Sequence, residues 1–225
     1  MAGSFARTNE MLGAGRSLLF RPQQGVSRLG VERRLGVERL LRRHAGIRRK
    51  EPRVTDRLFF AVVPDAETAK TIAERAAAWR ARHGLTGRLL RAAHFHVNLA
   101  PVHEGIGLPD AGEIEDWVAR VREIPMPCFR VAFDRLTSFA NGALVLTGEE
   151  ATIGLEVLQQ RLSDALDDAP RPARRYTPHV TLLHDGRHVE AEPVEPIAWT
   201  VREVALVYSR TGQTTHRCLT RLPLG

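Results

Sequence analysis

A strand–helix–strand pattern occurs twice along this chain, and each copy delivers a histidine on its second strand. The first copy reads Arg57-Leu58-Phe59-Phe60-Ala61-Val62, then a helix over 66–82, a loop, and His96-Val97-Asn98-Leu99. The second reads Ala143-Leu144-Val145-Leu146-Thr147, a helix over 152–166, a loop, and His179-Val180-Thr181-Leu182. Phe59 lies 37 positions before His96, and Leu144 lies 35 before His179. Two units of matched length point to two lobes related by a pseudo-twofold. The histidine strands are then expected at the centre of each lobe, lining one groove between them.

The remaining elements follow from local signals. A β-rich run over 58–63 ends at Pro64-Asp65, and Asp65 is suited to cap the next helix. Ala69, Ile72, Ala73, Ala76 and Trp79 then recur at helical spacing up to Gly84. Strands are expected over 94–101 and 143–147, and a second helix over 109–124. Phe129, Val131 and Phe133 alternate as on a half-buried strand, and Asn141-Gly142 is a hairpin turn. Leu155, Leu158, Leu162, Ala165 and Leu166 mark a third helix closed before Pro170. Strands over 179–184, 201–208 and 215–222 complete the pattern, the last two flanking Gly212.

Residues 1–55 differ from the rest. They carry 13 Arg and Lys against 4 Asp and Glu, whereas 56–225 carry 20 against 22. The basic character of the chain, +7 overall, therefore sits in this segment. Its tandem repeat, Arg28-Leu29-Gly30-Val31-Glu32-Arg33 and Arg34-Leu35-Gly36-Val37-Glu38-Arg39, could form a short helix reaching Arg49. Its glycines weaken that helix by ~1 kcal/mol each. We expect 1–55 to be a basic, largely disordered extension and 56–225 to be the folded domain. A basic RNA-binding arm, or a true translation start near Val54, are the other readings of the extension.

Cys128 and Cys218 form no CxxC pair, which argues against a disulfide framework or a cysteine zinc site. No apolar run approaches the roughly 18 residues of a membrane span. A cytoplasmic monomer is expected, with no membrane and no stable protein partner.

The chemistry lies in the duplicated histidines. Side chains alternate along a strand, so His96 and Asn98 share a face, as do His179 and Thr181. Val97, Leu99, Val180 and Leu182 point the other way, into packing. Each strand thus offers one titratable ring beside one neutral hydrogen-bonding group. Two such pairs suit a phosphodiester. One imidazole takes a proton from water, the other gives one to the leaving oxygen, and the hydroxyl and amide donate to phosphate oxygens.

Tyr176-Thr177-Pro178-His179-Val180-Thr181-Leu182 resembles the second His-x-Thr-x signature of the two-histidine (2H) phosphoesterases, in their bacterial 2′-5′ RNA ligase or RNA 2′,3′-cyclic phosphodiesterase branch. His96-Val97-Asn98-Leu99 sits where the first signature belongs. The opening Leu58-Phe59-Phe60-Ala61-Val62 with Pro64, the stretch Phe133-Asp134-Arg135 with Ser138-Phe139, and the closing Ser209-Arg210-Thr211-Gly212-Gln213-Thr214 with His216 are similar to that family too. The resemblance covers roughly 56–225. It implies a bilobal α+β fold with antiparallel sheets lining a central groove and helices outside. It also implies hydrolysis of 2′,3′-cyclic phosphate, on RNA ends or small nucleotides, to a 2′-phosphomonoester. That hydrolysis uses neither metal nor cofactor, and reversible 2′-5′ ligation can accompany it. In the family the second-motif histidine is the base and the first the acid, roles that fall on His179 and His96. Asn98 and Thr181 would bind phosphate, Asn98 standing where Thr or Ser is usual.

Competing readings attach to several residues. His94 and His103 raise a zinc reading around His96, but no acidic or cysteine ligand lies at suitable spacing. His184 and His188 flank Asp185-Gly186 as a solvated turn. His216 could meet substrate phosphate or be an exposed strand residue. Tyr176 and Phe59 could stack on a base, Phe59 being better suited to the core. Arg171, Arg174 and Arg175 could attract a polyanion or form a solvated loop. The alternative to an enzyme is a nucleotide- or RNA-binding module of the same fold with little turnover, which Asn98 motivates.

Overall fold

The computed structural model describes residues 55–148, 152–167, 176–211 and 216–225. The extension over 1–54 and the arginines at 171–175 lie outside the described residues, and so do the expectations placed on them. Twelve elements run in the order β1 (Asp56–Val62), α1 (Ala66–Arg82), a 3₁₀ turn (Ala92–His94), β2 (Val97–Gly105), α2 (Ala111–Arg122), β3 (Phe129–Ser138), β4 (Ala143–Thr147), α3 (Ile153–Leu166), β5 (His179–His184), β6 (Glu192–Val201), β7 (Glu203–Arg210) and β8 (His216–Pro223).

The strands form two four-stranded antiparallel sheets, in the orders β2-β1-β7-β8 and β5-β4-β3-β6. The two orders correspond strand for strand, with β1 matching β4 and β2 matching β5, so the pseudo-twofold is present. The α+β fold with two antiparallel sheets is the expected one. The placement of the histidine strands is not: β2 and β5 are edge strands, not central ones. β7 and β8, late in the chain, return to complete the first sheet on the side of β1 away from β2.

Edges need cover, because an open ladder of N–H and C=O groups invites pairing with another chain. The loop after α1 covers β5: Leu90 N–H donates to the Leu182 carbonyl at 2.8 Å. The Asp185 carboxylate accepts the backbone N–H groups of Thr86 (2.7 Å), Gly87 (2.6 Å) and Arg187 (2.8 Å), which hold it ionised with its pKa lowered to about 2. Gly87 is required there, since a Cβ would stand 2.1 Å from the His184 carbonyl oxygen.

Local chemistry accounts for the boundaries. Asp65 accepts the Thr68 N–H at 2.8 Å and caps α1; Asp110 accepts the Glu113 N–H at 2.8 Å and caps α2. Gly142, at φ 81°, turns β3 into β4 with Asn141 Oδ1 accepting the Ala143 N–H. One element escapes the sequence pattern. β6 contains Pro193 and Pro196, which cannot donate to a ladder, yet it is an edge strand where such residues are tolerated.

The inner faces of both sheets and the three helices share one hydrophobic core. Leu58, Phe60 and Val97 from the first sheet join Phe133, Leu144, Leu146, Val180 and Leu182 from the second, with Ile72, Ala76 and Leu155 from helices. Truncating a fully buried member such as Phe60 costs about 3–5 kcal/mol. The opposite face of the first sheet carries its own small cluster of Phe59, Ala61, Ala205 and Val207.

Candidate active site

His96 immediately precedes β2, and His179 opens β5. The 3₁₀ turn, not a strand, brings the chain to His96, so His94 lies in a turn and not on the expected strand. Beyond it, alternation acts as anticipated. Asn98 lies opposite Ala61, on the face of the small apolar cluster and away from the helices. His179 lies opposite Thr147 and Thr181 opposite Val145, while Val180 and Leu182 enter the core. Asn98 and Thr181 are both half-buried, and their side chains make no hydrogen bond to another described residue.

The two histidines are held alike. His96 Nδ1 lies 2.8 Å from the carbonyl oxygen of His94, and His179 Nδ1 lies 2.8 Å from that of Thr177. A carbonyl can only accept, so in each ring Nδ1 carries the proton that donates. Nε2 is thereby left as the basic nitrogen of the neutral imidazole. In both cases the acceptor is two residues upstream, so the pseudo-twofold extends to the hydrogen bonds that set the tautomer. Each ring also packs on a phenylalanine. Phe59 from β1 lies 5.0 Å from His96 between ring centroids, and Phe139, just after β3, lies 4.9 Å from His179, edge-on at 67°.

The electrostatics are one-sided. Burial lowers the His96 pKa below the usual imidazole range. The Nδ1 hydrogen bond opposes this, while positive charge on His179, His94 and Arg57 adds to it. His179 acts on His96 from the other sheet, so the two rings share one electrostatic neighbourhood. His216, at the head of β8, is 5.3 Å from His96 and stacks on His94 at 4.7 Å with planes 14° apart. Its pKa is pushed down to about 4, first by burial and then by the charges of His96, His94 and Arg57. His94 is lowered by burial and by Arg91.

Other residues stand apart. Tyr176 is half-buried against the main core and donates its hydroxyl to the Asn98 carbonyl at 2.9 Å. His103 is engaged near the far end of β2, its Nε2 at 2.9 Å from the Gly107 carbonyl, and does not join His94 and His96. His184 and His188 are exposed beside the Asp185 clamp. Among the described residues no group of three or more His, Cys, Asp or Glu is arranged to hold a metal ion. Sequence reasoning overlooked Arg57 and the packing of Phe139 on His179. Arg57 was accessible in principle, since it sits two residues before Phe59 on the same strand face. Phe139 follows β3 at the hairpin, where alternation no longer reports direction.

Two antiparallel sheets, each delivering one histidine with its Nδ1 tied to a carbonyl and its Nε2 unengaged, form the arrangement of a two-histidine phosphoesterase. The family model described as the 2′-5′ RNA ligase superfamily matches residues 68–213, and the chain belongs to that superfamily of 2H phosphoesterases. Among solved structures it is similar to Escherichia coli LigT complexed with NADP⁺, at 27% identity and a TM-score of 0.61, covering 76% of this chain and 98% of that one. LigT complexed with 3′-AMP gives 26% and 0.61 over 76% and 98%. A structure described as a phosphoesterase gives 26% and 0.62 over 75% and 98%. No curated protein matches the chain.

Proposed function

We propose that this protein hydrolyses 2′,3′-cyclic phosphodiesters, on RNA ends or small nucleotides, to 2′-phosphomonoesters, and that the same site supports reversible 2′-5′ ligation. The observation that carries the reading is the matched pair of imidazoles, each with Nε2 as its basic nitrogen and each followed two residues later by an unengaged Asn98 or Thr181. His179 takes a proton from water as the water oxygen bonds to phosphorus. The bond from phosphorus to the 3′ oxygen breaks, and that oxygen receives the proton held by His96. Asn98 and Thr181 donate to the non-bridging oxygens as negative charge grows on them. Two imidazoles supply both proton transfers, so the reaction calls on no metal. LigT, of the same superfamily, has been solved with 3′-AMP and with NADP⁺, which supports a nucleotide phosphate as the ligand class.

The deciding experiment incubates the purified protein with nucleoside 2′,3′-cyclic monophosphates and a cyclic-phosphate-ended oligonucleotide, with and without EDTA. A 2′-phosphate product formed equally in both conditions is expected. A 3′-phosphate product, or activity lost to EDTA and restored by zinc or manganese, would overturn the mechanism. Asn98 favours one second reading, a nucleotide- or RNA-binding module of low turnover, because a carboxamide replaces the small hydroxyl that Thr181 offers on the other side.

A further inference from the structure

His96 lies between two ties to the chain that carries His179. Downstream of it is the Tyr176–Asn98 bond, at 2.9 Å. Upstream is the segment that leaves α1 at His83, runs along the edge of β5 and passes through the 3₁₀ turn into His96. Leu90 N–H donates to the Leu182 carbonyl at 2.8 Å. At the end of β5 the Asp185 carboxylate takes over. Its Oδ2 accepts the N–H groups of Thr86 at 2.7 Å and Gly87 at 2.6 Å, and the Thr86 hydroxyl at 3.3 Å. Its Oδ1 accepts the Arg187 N–H at 2.8 Å. Asp185 is itself anchored, because its own N–H donates to the Gly142 carbonyl at 2.9 Å, in the hairpin between β3 and β4.

The contact is close as well as bonded. A Cβ on Gly87 would stand 2.1 Å from the His184 carbonyl oxygen and 3.1 Å from Leu183 Cδ1, so the segment lies flush on β5 only because residue 87 has no side chain. Arg187 Nη1 donates to the His83 carbonyl at 3.0 Å and holds the same segment where it begins. The three backbone N–H donors keep the Asp185 carboxylate ionised, and hydrogen bonds to an ionised acceptor are roughly twice as strong as neutral ones. Asp185 stands six residues after His179, and Gly87 nine before His96. One carboxylate thus joins the strand that starts with one histidine to the segment that ends at the other. Two imidazoles serving one phosphorus atom must be held to within about 0.5 Å, and a misplacement of about 1 Å costs on the order of 10²-fold in rate.

We propose that Asp185 is a positioning residue for the two-histidine site: it fixes the segment leading to His96 against the strand that begins with His179, and so sets the distance between the two imidazoles. This rests on the reading of His96 and His179 as an acid–base pair. Asp185 touches no substrate in this role and acts through residues 86–91. Its loss frees the approach to His96, while the ladder between β1 and β2 and the Tyr176–Asn98 bond keep the downstream side in place. The His96 ring then becomes more exposed and less well aligned within sheets that remain intact.

Two variants of the full chain test the clamp from its two sides. Asp185→Asn keeps the size of the side chain and removes its charge. Gly87→Ala lifts the segment off β5 and leaves Asp185 untouched. Steady-state kinetics use adenosine 2′,3′-cyclic phosphate, and NMR titrates the His96 ring in the free protein. Burial lowers the His96 pKa in the parent, so its titration midpoint should rise in each variant. In each, kcat per folded molecule should fall about tenfold or more while KM changes by less than about twofold. The double variant should lose little more than the worse single one, since both release the same contact. A parent-like His96 midpoint in the folded variants overturns the proposal whatever the turnover, and so does parent-like kcat in variants of an active parent. Failure of both variants to fold makes the clamp a requirement of folding and overturns the positioning role. A parent without turnover whose His96 midpoint still rises in the variants supports the clamp and sinks the hydrolytic reading instead.

Discussion

Tyr176 donates its hydroxyl to the backbone carbonyl of Asn98 across 2.9 Å, joining the approach to the second histidine to the strand that follows the first. The bond ties the segment leading into β5 to β2, close to the side chains proposed to meet phosphate. Tyr176 lies three residues before His179, and Asn98 two after His96, so a shift of either backbone moves a histidine. Burial raises the phenol's pKa, so the hydroxyl keeps its proton for the carbonyl throughout the working pH range.

Tyr176→Phe keeps the ring and deletes only that donor. We expect a loss of about 1 kcal/mol in stability, the net worth of one hydrogen bond. We also expect a fall in kcat exceeding any change in KM, since Asn98 is mispositioned toward developing charge. Denaturant melts and steady-state kinetics on the variant test both. Parent-like kcat with the stability loss present would make Tyr176 a purely structural strut.

The sequence was most readable where side-chain alternation decides direction. β5 is marked by Val180 and Leu182 against His179 and Thr181, and its bounds, His179–His184, are the expected ones. The order of strands was not readable. Asp56 pairs with Arg210, and a periodicity argument cannot say that the chain's last hairpin flanks its first strand, leaving β2 at an edge. β6 was hidden because Pro193 and Pro196 look like loop residues until an edge position is known. The Tyr176–Asn98 tie is a tertiary fact of the same kind. Neither residue's neighbours in sequence point to the other.

The imidazoles should show their environment in the pH profile. His96 is depressed by burial and by neighbouring positive charge in the free protein, yet it must be protonated to serve as the acid. A bound phosphodiester brings negative charge and raises its pKa. The basic limb of kcat, which reports the complex, should therefore lie at higher pH than the basic limb of kcat/KM, which reports the free protein. His96→Ala and His179→Ala should each lower kcat by roughly 10²–10⁴-fold. Coincident limbs, or an alanine variant with parent-like rate, would remove the acid–base assignment.

His216 also links folding to pH. Its pKa falls from near 6.5, its value in an unfolded chain, to about 4 in the folded protein. The unfolded state binds the extra proton between those values. The contribution of His216 to stability is therefore complete above pH ~6.5 and is lost as pH falls toward 4. His216→Gln should flatten the decline in Tm over this window relative to the parent. An unchanged slope would mean that His216 is not held neutral by the fold.

The division at residue 55 makes a separate claim. A chain beginning at Val54 should fold with the parent Tm and turn over small cyclic nucleotides at the parent rate. It should bind long RNA more weakly and with a shallower salt dependence, because residues 1–55 carry 13 Arg and Lys against 4 Asp and Glu. Insolubility or inactivity of the shortened chain would place the extension within the working domain.

Asn98 should decide how good a catalyst the proposed site is. Its position repeats that of Thr181: each side chain follows a carbonyl-tethered histidine by two residues, faces away from the main core, and has no hydrogen bond to another described residue. A carboxamide reaches farther than a hydroxyl and can also accept, so it can satisfy a phosphate oxygen or hold a substrate in an unreactive pose. If the amide donates to developing charge, Asn98→Ala should depress kcat by ~10²-fold or more, and Asn98→Thr should preserve or raise it. If the protein is a binding module, the parent should turn over negligibly and Asn98→Thr should gain activity. In that case His179→Ala should leave nucleotide affinity nearly unchanged. Turnover and affinity measured on these three variants discriminate the cases. An active parent indifferent to Asn98→Ala would reduce Asn98 to a strand residue and leave Thr181 as the sole neutral donor to the phosphate.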